Sequence, residues 1–306
     1  MVRVAGIQIA PVFLNGKKTW EKLSDYIREA HDNEAKLVTW GETLIPGYPF
    51  WLGASGAAMW DNSDQKKAYR SYWREALDLK NGEIINKMKK LARELNIMLM
   101  GGVAEKMSGS TYATLITINE EGKLINRHRK IKPTYAERLV WADGDGVGLN
   151  TVPFNGYRIG GLNCWENWIP YARASLHKQN ELLHVAVWPG NIHVTKDITK
   201  FIAMEGRYWV LSVSGLIRTE DLTDLSEEDF PVKKILNLDK KQGKFWQNGG
   251  SVIADPKGNF VNEPLIDQEG IIYADIDFLK AIEERQNFDY SGHYSRFDIF
   301  NNPLKE

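Results

Sequence analysis

Cysteine is the scarcest residue in this chain: one thiol, Cys164, among 306 residues. A single cysteine excludes an intrachain disulfide and suits a reducing compartment, and the absence of any N-x-S/T sequon agrees with that setting. Long apolar runs are missing too, none approaching the roughly 20 residues that a membrane helix requires. The opening MVRVAGIQIAP passes straight into an alternating strand pattern, with no basic n-region, apolar h-region or cleavage site before it. A cytoplasmic protein with no membrane association is expected. Charge of a single sign is also lacking: 39 basic and 40 acidic side chains leave a net charge of −1, which supplies no long-range field for nucleic acid. The expected partner is a small molecule.

Several catalytic signatures are absent as well. The chain has no G-x-S-x-G nucleophile elbow, no G-x-x-x-x-G-K-S/T phosphate loop and no H-E-x-x-H zinc helix. Its glycine-rich GDGVG lacks the strand-turn-helix setting of a dinucleotide site, and DGDGVG puts Val147 where a calcium loop needs an oxygen ligand. The histidines are scattered, with only His177, His184 and His193 even loosely close. No metal and no cofactor are expected, which leaves metal-free covalent chemistry.

What the chain does have is a globular composition, 43% hydrophobic and 26% charged, and a regular alternation of element types. Val2 to Ala10 reads as a strand. Lys17 to His31 carries Trp20, Leu23, Ile27 and Ala30 at helical spacing, and Glu83 to Asn96 repeats that period. Short strands follow at Lys36 to Trp40, IMLMGGVAE, YATLITIN and KLINRHRK, the last two joined by a turn at Glu120-Glu121-Gly122. After ADGDGVG come strand GYRIGGLNC, a helix from about Trp168 to Gln179, strand LLHVAVW, a helix from Asp197 to Trp209 and strand VLSVSGLIR. The acidic stretch Thr219 to Asp229 reads as a solvated surface insertion and LDKKQGKFWQNGG as a loop. Strand patterns resume in SVIADPKGNF and GIIYADIDF, so residues 1–306 are expected to form one layered α/β domain without internal repeats.

The thiol sits in GGLNCWENW, where a strand pattern ends at Cys164 and a helix with Pro170 in its first turn begins. A lone cysteine is usually a small buried apolar side chain. At a strand-to-helix junction it instead gains exposure at a strand end and backbone N–H groups beside it. A nucleophilic thiol also needs a base or a nearby cation, because its ordinary pKa near about 8.5 leaves it mostly protonated. Candidates for both stand elsewhere. KLVTWGETLIPGYPFW places Glu42 after an apolar strand and before a Pro46-Gly47 turn, and NRHRKIKPTYAER places Lys130 on the face opposite Arg127 and Arg129.

Together and in this order, WGETLIPGYPFW, HRKIKPTYAERLVWADGDG and GGLNCWENWIP resemble the nitrilase branch of the carbon-nitrogen hydrolase superfamily. The resemblance continues through HVAVWPG, AMEGRYWVLSVSGL and SGHYSRFDIF, nearly the whole chain. It implies a four-layer αββα sandwich with a Glu-Lys-Cys triad at Glu42, Lys130 and Cys164 and a supporting Glu137. It also implies hydrolysis of a nitrile through a thioimidate and a thioester, with amide or cyanide conversion as the alternatives, and an association into dimers. A binding or scaffold protein without catalysis would have no reason to keep these four residues together. Trp51, Tyr135, Trp165 and Trp188 flank the motifs and are candidates to line the substrate pocket. Two departures from the family pattern are Asn167, where many bacterial relatives have His, and the short end at Lys305-Glu306, which favours a dimer or small oligomer over long filaments.

Overall fold

The computed structural model describes residues 1–54, 58–222, 225–236 and 245–300. Its first half runs β1 (Val2–Gln8), α1 (Gly16–Asp32), β2 (Leu37–Ile45), α2 (Trp51–Ala54), α3 (Ser63–Glu75), α4 (Glu83–Leu95), β3 (Met98–Met107), β4 (Ser110–Ile118) and β5 (Leu124–Arg129). The second half begins with β6 (Val152–Phe154), β7 (Tyr157–Asn163), α5 (Pro170–His177), β8 (Glu181–Trp188), α6 (Ile192–Gly206), β9 (Trp209–Ser214) and β10 (Leu216–Arg218). It closes with α7 (Phe230–Leu236), β11 (Phe245–Ala254), β12 (Leu265–Ile266), β13 (Gly270–Ile276), α8 (Phe278–Arg285) and α9 (Phe297–Phe300).

These strands form two sheets. One has the order β13-β1-β2-β3-β4-β5; the other has β10-β11-β9-β8-β7-β6, with β12 beside β11. The parallel pairs β1/β2, β2/β3, β7/β8 and β8/β9 lie at the centre of each sheet. Both faces of these strands must therefore be covered, and β2 and β8 are buried along their whole length. Between the sheets lies an apolar layer that includes Val4, Leu115, Leu183, Val185 and Leu211. Outside the first sheet, α1 and α4 bury Leu23, Ile27, Ile85 and Met88 against it. Each such side chain contributes roughly 1.5–3 kcal/mol. Outside the second, α5 and α6 bury Leu176, Ile198 and Ile202. The result is the αββα sandwich.

Three sequence expectations change. Helix α6 begins at Ile192 and not Asp197, because the Asn191 side chain caps it by accepting from His193 N–H at 3.1 Å. The acidic stretch is not a free surface insertion: Leu222 and Asp229 are buried, and Asp229 pairs with Arg74 of α3 at 3.1 Å. Helix α3 itself buries only Ala68, Ser71 and Tyr72, too few apolar positions to announce it in the sequence. Residues 245–250 of LDKKQGKFWQNGG are strand, not loop. Residues 223–224 of the acidic stretch, 238–244 of that loop reading and the final Lys305-Glu306 lie outside the described residues.

Candidate active site

The two sheets meet polar chemistry at one end of the gap between them. The β2/β3 pairing breaks between Trp40 and Ile45, so that Gly41 to Leu44 bulge from the ladder, with Thr43 at φ +44°. Gly102 on β3 makes room for this bulge, since a Cβ there would lie 2.6 Å from Glu42 Cα and Thr43 N. The bulge carries Glu42, which is 2% exposed. Lys130 follows the last residue of β5 and keeps the strand geometry by donating its N–H to Ala113 O at 2.8 Å. Alternation then separates it from its basic neighbours as the sequence predicts: Arg127 and Arg129 pair with Glu105, while the Lys130 ammonium reaches Glu42 Oε1 at 2.9 Å.

A tight turn over Tyr135–Leu139 brings in Glu137, whose Oε2 accepts from Lys130 at 2.7 Å and from Thr134 N–H at 2.6 Å. Its other oxygen accepts from the Tyr48 hydroxyl at 2.9 Å. Cys164 comes from the opposite sheet. It starts the turn Cys164–Trp168 directly after β7, at φ +48°, a left-handed backbone that is costly for a residue with a Cβ. Atoms of Glu42, Glu137 and Cys164 lie within 4.8 Å of one another. Such a trio could by distance alone hold a metal ion, but the Lys130 ammonium already bonds both carboxylates.

Burial pushes Glu42 up to about 8; the Lys130 ammonium works against that and the Glu137 charge adds to it. Burial likewise pushes the Cys164 thiol well up, with Lys130 drawing it back down. Burial disfavours the charge of Lys130, yet Glu42, Cys164 and Glu137 together hold the ammonium above the ordinary lysine range. Glu42 Oε2 is buried and has no hydrogen-bond partner, so one carboxyl oxygen is left to take a proton.

The four aromatic candidates take different places: Trp188 packs in one buried cluster with Cys164, and the other three lie elsewhere. A cleft of about 20 Å³, room for about one water, opens on Glu42 between Tyr48, Phe50, Pro189, Leu216 and Ile217. Trp51 instead packs edge-on to Tyr72 and is fully buried. Trp188 packs in the cluster that holds Cys164, Ile198, Ile202 and Tyr208, its indole N–H on Ser212 Oγ at 2.9 Å. Tyr135 is 88% exposed, and Trp165 stacks half-exposed on Trp168. Tyr135 and Trp165 lie in the short turns that follow Thr134 and Asn163, which aim successive side chains in different directions. Asn167 does not face the cleft either: it is buried, donates to Cys164 O at 2.9 Å and accepts from His184 Nε2 at 2.8 Å. The sequence reading missed Tyr48, although GYPFW sits inside a motif it singled out, and it missed His128 and Glu166, two buried polar side chains within the other motifs.

A thiol, a proton-accepting carboxyl and a fixed positive charge in one water-poor gap make a site for nucleophilic addition followed by hydrolysis. The family model described as carbon-nitrogen hydrolase matches residues 3–286, and the chain belongs to that family, hydrolases acting on carbon–nitrogen bonds. An aliphatic nitrilase of Rhodococcus rhodochrous is 33% identical over 97% of this chain and 78% of its own length. An arylacetonitrilase of Aspergillus niger is 32% identical over 97% of this chain and 90% of its own. In fold, the chain is similar to a carbon-nitrogen hydrolase from Helicobacter pylori, with a TM-score of 0.76 at 18% identity over 100% of this chain and 99% of that one.

Proposed function

We propose that this protein is a nitrilase that converts an organic nitrile and two waters to the carboxylic acid and ammonia. One observation carries the reading: the Cys164 thiol lies within 4.8 Å of carboxylate oxygens of Glu42 and Glu137, the same two carboxylates that hold the Lys130 ammonium, and Glu42 keeps one oxygen without a partner. Glu42 accepts the thiol proton as sulfur adds to the nitrile carbon, and the proton passes to nitrogen to give a thioimidate. Lys130 stabilises the charge that develops on that nitrogen. Water activated by Glu42 then adds, ammonia leaves, and a thioester remains. A second water releases the acid and restores the thiol. Glu137, held by Tyr48 and Thr134, keeps Lys130 in place. The steps require no cofactor and no metal, and residues 1–306 act as one domain.

The test is ammonia release from aliphatic and arylaceto nitriles and their matching amides, with chelator present. Turnover of nitriles is expected; turnover of amides alone would reassign the protein to amide hydrolysis. We further propose a homodimer or small oligomer in the cytoplasm. Trp168, Tyr171, Phe201 and Met204 are large apolar side chains left exposed on and beside α5 and α6, which supports self-association. Sedimentation of a monomer at micromolar concentration would overturn the assembly. No helix among the described residues is long and apolar enough to cross a membrane.

A further inference from the structure

The proposed catalytic groups come from different sheets: Glu42 and Lys130 from the first, Cys164 from the second. Within a sheet the backbone ladder sets spacing to a fraction of an ångström, but among the described residues no ladder runs between the sheets, and the apolar layer there is non-directional. The bonds from Ser251 to Gln8 Oε1 tie β11 to β1, not the strands that lead to Lys130 and Cys164. Something else must set the distance from thiol to ammonium. Glu166 stands where this can be done. Its Oε1 accepts from Ile131 N–H at 2.6 Å, one residue after Lys130, and its Oε2 accepts from Asn163 N–H at 3.0 Å, one residue before Cys164. His128 Nε2 lies 3.2 and 3.0 Å from the two oxygens and, facing only acceptors, carries the hydrogen. A cap on the Cys164 turn would need only the Asn163 bond. The bonds to Ile131 and His128 of the opposite sheet are additional.

Resting on the nitrilase reading of this site, we propose that Glu166 is a positioning residue that sets the separation between the Cys164 nucleophile and the Lys130 ammonium. It touches neither substrate nor reacting atoms and acts through the two backbones it joins. Its carboxylate is 1% exposed and is met by donors on both oxygens, so it stays a rigid anion with no solvent to exchange with. Asn163 Nδ2, 3.5 Å from His128 O, adds a weaker bond in the same direction.

The test replaces the carboxylate with a neutral isostere. In Glu166→Gln the amide NH2 faces N–H donors, so at least one of the three loses its acceptor and the sheets are free to shift. An ångström of misplacement costs on the order of 100-fold in kcat, with KM within about threefold of wild type. Iodoacetamide labelling of Cys164, the only thiol, reads the geometry without any substrate. Lys130, Glu42, Glu137 and Tyr48, which surround the thiol, all remain in the variant. With the ammonium further away, the labelling profile should move to higher pH. A folded Glu166→Gln with kcat within about threefold of wild type, or with kcat lost and the labelling profile unmoved, would overturn the proposal. Should that variant fail to fold, His128→Asn decides, because it removes the cross-sheet imidazole and leaves the Asn163 cap. A drop in kcat with a shifted profile is expected, and wild-type values overturn the proposal. If the wild type hydrolyses no nitrile, the nitrilase reading fails, while the labelling comparison still decides the positioning role.

Discussion

Glu42 and Glu166 are both almost wholly buried, at 2% and 1% exposure, at neighbouring points of the same gap, yet their surroundings drive them in opposite directions. Glu42 shares one ammonium with Glu137 and has an oxygen with no partner, and burial carries its carboxyl up to about 8. Burial acts on Glu166 in the same sense, but His128 and the N–H groups of Ile131 and Asn163 outweigh it and hold the carboxyl below its ordinary range. Desolvation alone therefore does not decide ionisation; the number of donors aimed at the charged form does. The poorly satisfied carboxyl is suited to exchanging a proton, and the fully satisfied one to holding structure.

The sharpest attempt to break this contrast removes the group that Glu42 serves. Cys164→Ala should abolish nitrile turnover together with any substrate-sized adduct in acid-quenched intact-protein mass spectra; retained turnover would make the thiol structural. Lys130→Ala should lower kcat by about 10²–10³-fold, the loss typical of one oxyanion donor, measured under saturating substrate. The protonation of Glu42 itself is read from pH. Since the base is the deprotonated form, kcat/KM should rise as pH approaches about 8 and level off above it. Glu42→Gln should lower the rate and erase that limb, and a wild-type profile that is flat across this range would contradict the assignment.

Smaller effects probe the supports. Gly102→Ala would drive a Cβ to 2.6 Å from the Glu42 backbone, and it should cost about 1–3 kcal/mol in chemical denaturation as well as activity. Tyr135→Ala should be the mildest change, within about 0.5 kcal/mol in stability and with KM unaltered, because its ring is 88% exposed. A KM raised severalfold would instead return Tyr135 to the substrate.

Much of this was legible beforehand where the signal is local. The helical spacing of Trp20, Leu23, Ile27 and Ala30 carried α1 almost to its ends, and strand alternation put Lys130 on the face away from Arg127 and Arg129. The exposure of Tyr135 and Trp165 was not legible, because flanking a motif says nothing about the direction of a side chain leaving a turn, whereas Trp188 does pack in the cluster that holds Cys164. The acidic stretch was misread for a related reason: Asp229 is buried by an ion pair with Arg74, 155 residues away, which no local composition reveals.

By itself, then, the sequence determined the period of elements such as α1, singled out Glu42, Lys130, Glu137 and Cys164 within their motifs, and fixed the family that shares the order of those motifs. Those properties depend on neighbours along the chain. Only the tertiary structure decided which of several buried carboxylates keeps a free oxygen and which is saturated with donors. That depends on how two sheets with no ladder between them are brought together, and in this protein the contacts that bring Lys130 and Cys164 to one gap come from residues 35 and 38 positions apart, through Glu166 to Ile131 and His128.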